Sequence, residues 1–345
     1  MCETSKMTSI KIYLTILITL FASATAMSQD GSASYNFLNI PTSTHIYGLG
    51  GVNISTIEDD INITDQNPAL LGLEMDKQIG LSYMNYLGES NFAGVKFGAK
   101  AHERGAWAMG VRYFGYGEMQ SADVDGTITG TFTAQDLAFN LTYSHDITER
   151  LRGGISVKYI YSGYEDYTAM ALATDLGINY YNPEKDQSFS VVIANLGGQI
   201  KRFNESYDRL PIDVRLGWTQ SFGTLPFRFS VTAWNLTKWE LPYYETGDGT
   251  INAKPEFKSS FSSNLFRHLI FAADYVPSER LHIGIGYNYK TRTDMSTYSR
   301  NFLSGFSLAA GLNVKQFRIG VALAQPHTGA TTFMFNLATS INDFL

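Results

Sequence analysis

The stretch Leu281-His-Ile-Gly-Ile-Gly-Tyr-Asn-Tyr-Lys290 decides the fold. Leu281, Ile283, Ile285, Tyr287 and Tyr289 alternate with His282, Gly284, Gly286, Asn288 and Lys290. A side-chain period of two marks a strand with one apolar face and one polar or small face. The alternation recurs along the chain. It predicts fourteen strands, at 78–86, 90–102, 106–119, 133–146, 151–165, 168–181, 187–198, 212–223, 226–237, 266–276, 281–291, 303–314, 317–325 and 330–341.

The faces agree from strand to strand. One carries Val95, Val111, Leu137, Phe139, Val157, Ile178, Leu216, Phe229, Leu308, Ile319 and Phe335. The other carries Lys96, Arg112, Lys158, Asp175, Asp213, Arg215, Arg228, Asp274 and Arg318, with His282, Asn288 and Lys290 on the opening stretch. No predicted helix layer or second sheet is left to cover the apolar face. Lipid is then its cover, and the charges line a lumen. The connections support this reading, because short turns such as 103–105, 182–186, 223–225 and 277–280 alternate with long loops at 120–132, 199–211, 238–265 and 292–302. An all-β, fourteen-stranded antiparallel transmembrane barrel has this signature, with both termini on the short-turn, periplasmic side of the outer membrane.

Composition agrees. Charged residues make up 17% of the chain and aromatic residues 14%, where an average soluble chain has about 25% charged. No basic run points to nucleic acid. Lys6 and Lys11, the apolar run Ile12 to Phe21 and the small residues Ala22-Ser-Ala-Thr-Ala26 read as a secretory signal over 1–28. The single cysteine, Cys2, lies within it, so the exported chain is expected to hold no disulfide and no thiolate ligand.

Residues 29–77 precede the first strand, and 78–345 form the barrel. The 29–77 segment contains Gly50-Gly51, the acidic run Glu58-Asp59-Asp60, and Asn67-Pro68. It is apolar enough to fold yet too short for a separate domain. Entering from the periplasmic mouth, it is expected to form a plug. Its acidic residues either pair with the basic wall, Arg215 and Arg228 above all, or form a solvated loop.

No residues combine into a persuasive catalytic centre, so the protein is expected to be non-enzymatic. The six histidines lack the short spacings that place metal ligands on one face, and no metal or other cofactor is expected. Asp274 and His282, on adjacent strands, read as a structural lumen pair. In the loop 238–265, Trp239, Tyr243, Tyr244 and Phe257 supply apolar anchors, and Ser259 to Arg267 suggests a short helix. Such a loop either meets a partner or folds back over the lumen.

The segment with Gly50-Gly51, Ser55, Asp59 and Asn67-Pro68-Ala69 resembles the N-terminal hatch of the FadL-like barrel superfamily. Within it, Leu281 to Tyr289, Gly305-Phe306-Ser307, Lys315-x-Phe317 and His327-x-Gly329-Ala330-Thr331 are similar to the PorQ family of the type IX secretion system. The resemblance implies an outer-membrane component that anchors a surface attachment complex. Its implied partners are a PorZ-like surface protein, the PorU sortase and PorV. The alternative is a FadL-like channel for hydrophobic small molecules, which an apolar lumen pocket and a gap in the wall would favour.

Overall fold

A computed structural model describes residues 34–123, 125–204, 207–222, 225–245, 256–278, 280–294, 303–327 and 330–344. The 1–28 signal lies outside them. Fourteen antiparallel strands close into one barrel. They are β1 (Gln78–Asn85), β2 (Asn91–His102), β3 (Gly105–Ala122), β4 (Ile128–Asp146), β5 (Leu151–Tyr164), β6 (Tyr167–Asn182), β7 (Gln187–Lys201), β8 (Asp213–Ser221), β9 (Phe227–Ala233), β12 (Leu269–Ser278), β13 (Leu281–Asn288), β14 (Phe306–Val314), β15 (Phe317–His327) and β16 (Ala330–Ser340). A small separate hairpin, β10 (Tyr243–Glu245) and β11 (Glu256–Lys258), stands in the loop between β9 and β12. Closure is made by β1 and β16, with Gln78 opposite Ser340, so the barrel itself has no edge strand.

The predicted faces hold in the structure. Val95, Phe139, Leu141, Val157, Ile178, Leu216, Val321 and Phe335 are exposed outward, while Lys96, Arg112, Asn140, Lys158 and Asp175 are buried inside. An outward apolar surface that runs around the whole barrel far exceeds the few hundred Å² that a soluble monomer exposes.

Several strand limits differ from the sequence reading, three of them with consequences for the lumen and loops. The loop expected at 120–132 is mostly strand, with Ala122 opposite Ile128, so β3 and β4 form a hairpin that stands well above its neighbours. The strand expected over 226–237 ends at Ala233. The strand expected over 281–291 ends at Asn288 and turns into α3 (Tyr289–Asp294). Lys290 is therefore not on the wall but pairs with Asp294 one helical turn on, at 2.6 Å. Side-chain alternation continues into Tyr289 and Lys290, and only tertiary context ends the strand there.

The wall is uneven. Pairing of β7 with β8 ends at Ala194 opposite Asp213, although β7 runs on to Lys201. At that level Asn195 takes a left-handed conformation with φ 56°, and its amide donates to Asp175 at 2.7 Å. The β6 register shifts beside it, between Thr174 and Leu176. A bulge of this kind bends a strand and ends its regular ladder.

Candidate functional site in the barrel lumen

Residues 34–77 lie against the inward-facing side chains and go round the wall. The short helix α1 (Thr44–Gly48) packs on β13, β14, β15 and β16. Asn53 donates to Ser230 of β9 at 2.9 Å, and Ser55 meets Thr219 of β8 at 2.7 Å. The turn Ile61–Asp65 packs on β1 and β2, and the turn Pro68–Leu70 on β4, β5 and β6. Each turn has a local reason. Asp60 accepts from the Asn62 amide, and Asn67 accepts from the Ala69 amide with Pro68 at the first helical position, both at 2.9 Å. Gly50 and Gly51, at φ 99° and 87°, let the chain leave α1 in a left-handed bend.

The wall is shaped to receive this segment. A Cβ built on Gly286 would lie 2.2 Å from the Gly50 nitrogen, and one on Gly154 would lie 2.4 Å from the Pro68 carbonyl carbon. Inward-facing glycine on the alternating strands is therefore room for backbone rather than weak polarity.

Charge fixes the middle and short-turn part of the lumen. Lys96 pairs with Asp65, which also accepts from Thr42 at 2.6 Å. Arg228 of β9 donates to Glu58 at 2.7 Å and to Asp274 at 3.0 Å. His45 lies between the same two carboxylates, with Nε2 and Nδ1 each 2.6 Å from Asp274 and Glu58 respectively. Lys158 pairs with Asp175 at 2.5 Å and donates to Asn195. Arg215 donates to Asp213 at 2.7 Å and to the neutral Gln66 and Asn39 of the segment. Arg112 is buried and donates to the Leu38 carbonyl. Arg318 is half-buried beside a cavity of about 1040 Å³ at the short-turn mouth, which His45, Glu58 and His282 also line.

The pairing expected of the acidic run is thus divided. Glu58 meets Arg228, while Asp59 is exposed, and Asp60 accepts from Asn62 and Asn336 rather than from a cation. Arg215 takes its acid from its own strand. The histidines are also not all scattered, because the rings of His45 and His282 lie 4.2 Å apart. Spacing along one element could not show this, since a wall residue and a segment residue meet only through the fold. Asp274 joins His45 and Arg228, not the neighbouring His282.

The long-loop part of the lumen is built differently. Tyr86, Phe114, Tyr116, Tyr164 and Phe203 form a run of rings with successive centroids 5.6, 4.8, 5.6 and 4.9 Å apart. With Tyr35, Phe37 and Ile40 of the segment they line a cavity of about 400 Å³. Asp136, fully buried, holds its rim by accepting from Tyr116 at 2.6 Å, from Tyr164 at 3.1 Å and from Ser162. A second cleft of about 600 Å³ adjoins, between Tyr47, Val52, Tyr86 and Trp234. The rings come from the outer ends of β3 and β5 and from the residues that follow β1 and β7, so no local motif marks them. Their signal is Tyr and Phe on the inward parity near the strand ends.

In the loop between β9 and β12, the expected helix is α2 (Phe261–Arg267), capped by Ser260. Trp239 stacks on His268 at 5.1 Å, and Arg267 sits over the Tyr243 ring at 4.8 Å. Phe257, Phe261 and Phe266 are exposed. The side chain of Tyr244 lies outside the described residues.

No family model matches the chain, and no curated protein does. Among solved structures, a TodX deltaS2S3 mutant monoaromatic hydrocarbon channel aligns with a TM-score of 0.52 at 12% identity, covering 87% of this chain and 98% of that one. The CymD monoaromatic hydrocarbon channel aligns with a TM-score of 0.50 at 11% identity, covering 88% and 97%. A Pseudomonas aeruginosa FadL homologue scores 0.47, too low to add to the argument. At such identities the likeness is one of fold. This chain, a closed barrel of fourteen strands, shares its fold with these hydrocarbon channels.

Proposed function

We propose that this protein is an outer-membrane channel that binds and admits small hydrophobic molecules, with residues 34–77 as its plug. The observation that carries the reading is the ring-lined cavity at the long-loop end. A cavity of about 400 Å³ walled by seven aromatic side chains suits one compact apolar guest, with few polar groups to satisfy. The outward apolar belt supports a membrane setting. The incomplete β7–β8 ladder supports a weak place in the wall beside the lumen. The TodX mutant and CymD, which share this fold, are monoaromatic hydrocarbon channels, which agrees with the cavity's chemistry. In this orientation the short turns and both termini face the periplasm.

The test is binding of 1-N-phenylnaphthylamine to the purified barrel in detergent, followed by its entry into proteoliposomes. Saturable fluorescence that toluene displaces, together with faster entry than into empty vesicles, is the expected result. Binding no different from that of detergent alone removes the reading.

A second reading has its own observation. Phe257, Phe261, Leu265 and Phe266 leave an apolar surface open beside Trp239 on the long-loop side. That patch suits a surface protein and would serve a type IX attachment complex of PorZ-, PorU- and PorV-like partners. Co-purification of such a partner with the wild-type barrel, lost when Phe261 and Phe266 become Ser, supports this reading; capture that ignores those changes removes it.

A further inference from the structure

His45, Glu58 and His282 stand apart from the aromatic cavity and from any transport route through it. Each presents one donor atom, and the three donors lie within 4.8 Å of one another. Two come from the N-terminal segment and the third from β13, so the cluster spans the joint between plug and wall. We propose that it is a divalent transition-metal site, best suited to zinc, that ties the segment to the wall.

Four observations support the site. His45 is buried, and its Nδ1 faces Glu58 Oε1 at 2.6 Å, so a nitrogen and a carboxylate oxygen already converge on one point where a proton now stands. Nε2 of His282 is buried and has no hydrogen-bond partner among the described residues. The other nitrogen of His45 lies 2.6 Å from Asp274 Oδ1. A carboxylate behind a metal-bound imidazole fixes its tautomer and raises its basicity. Finally, the cluster borders the cavity of about 1040 Å³, which leaves room for a water as fourth ligand. Two imidazoles, one carboxylate and an open position form a donor set that zinc uses.

Geometry and charge set the terms. Four ligands about 2.1 Å from zinc stand about 3.4 Å from each other in a tetrahedron, so His45 and Glu58 must part slightly to admit the ion. The metal takes the place of a proton between Nδ1 and the Glu58 carboxylate. Arg228, 2.7 Å from Glu58, opposes a cation, while Glu58 and Asp274 together outweigh it. Binding is therefore expected to be tight enough to measure and weaker than in a site with no nearby guanidinium.

The experiment uses the full-length mature barrel without a histidine tag at pH 7.5. Zinc is titrated calorimetrically, and cobalt is added separately to read its visible absorption. The expected result is one equivalent per barrel, with cobalt bands of a four-coordinate site. His282→Ala should weaken affinity by at least about tenfold while leaving the barrel's heat-modifiable gel shift intact, since Nε2 has no hydrogen-bonded partner to lose. Glu58→Gln should also weaken it. Zinc should raise the urea concentration at which protease reaches the segment, in the wild type and not in His282→Ala. No stoichiometric binding overturns the proposal. So does binding unchanged in His282→Ala, including binding that is lost instead when His102 and His145, 5.4 Å apart on the short-turn side, become Ala.

Discussion

From the middle of the lumen to the short-turn mouth, the N-terminal segment meets the wall through charge: Asp65 on Lys96, Glu58 on Arg228, His45 on Asp274. At the long-loop end it meets the wall through rings, with Tyr35 and Phe37 facing Phe114, Tyr116, Tyr164 and Phe203 across an open cavity. The difference follows from what each contact demands. A buried charge must have one partner at one place, so the charged half fixes the segment's position. An aromatic surface asks only for apolar contact, so the other half can leave volume and accept a guest. On the proposed function, one half holds and the other receives.

The strongest challenge to this division is to leave one charge alone. Lys96→Met strands the buried Asp65 carboxylate, and breaking such a pair costs about 3–5 kcal/mol. Protease should then reach the segment at much lower urea. Adding Asp65→Asn should recover most of the loss, because the remaining amide carries no charge. Equal protection in the single variant and the wild type would show that charge does not position the segment.

A second challenge leaves every charge in place. Gly286→Ala puts a Cβ where the Leu49–Gly50 backbone runs, with 2.2 Å to the Gly50 nitrogen, and backbone cannot rotate aside. Overpacking of this kind costs about 1–3 kcal/mol. The segment should loosen while phenylnaphthylamine affinity changes little. If affinity falls as much as segment stability, the two halves are coupled and the division fails.

The converse change acts on the receiving half. Tyr164→Ala removes the ring between Tyr116 and Phe203. Aromatic pairs contribute about 0.5–1.5 kcal/mol each beyond area, which corresponds to a several-fold loss of probe affinity. Protease protection of the segment should stay near the wild-type value. An unchanged probe affinity would place the guest elsewhere, with the cleft at Trp234 the next place to look.

How far this plan was legible in the sequence depends on the range of each contact. Parity along Leu281–Asn288 places Ile283 and Ile285 outside and His282 and Gly284 inside, because that rule is local to one strand. The same rule puts Lys96 and Arg228 in the lumen. It does not say that Asp65 takes Lys96 while Arg215 takes its neighbour Asp213, since partner choice depends on how the segment winds. The His45–His282 contact is invisible for the same reason. The aromatic cavity is not legible because its rings come from separate parts of the chain: Phe114 and Tyr116 share the inward parity of Arg112 on β3, Tyr164 ends β5, Tyr86 follows β1 and Phe203 follows β7. The helix α3 was missed because Tyr289 and Lys290 continue the strand's alternation.

The smallest expected effect lies where the segment joins the wall at the short-turn mouth, outside the spanning strands. Asp76 accepts from the Lys100 amide at 2.8 Å and from Asn342 at 3.2 Å, so the clasp reaches both β2 and the turn after β16. The Lys100 amide first, against a small opposing effect of burial, and then Asn342 hold the Asp76 carboxyl below its usual value of 3.8. A carboxyl depressed in the folded state contributes stability above its unfolded pKa and loses it as pH falls through the folded one. Asp76→Asn keeps an acceptor but no charge. The urea midpoint for segment protection should therefore favour the wild type slightly at pH 6, and the two should converge as the pH is taken progressively below 3.8. A wild-type advantage that persists undiminished at the lower pH would mean that Asp76 acts through shape. The charged half would then end above this clasp, at Glu58, and not at the mouth itself.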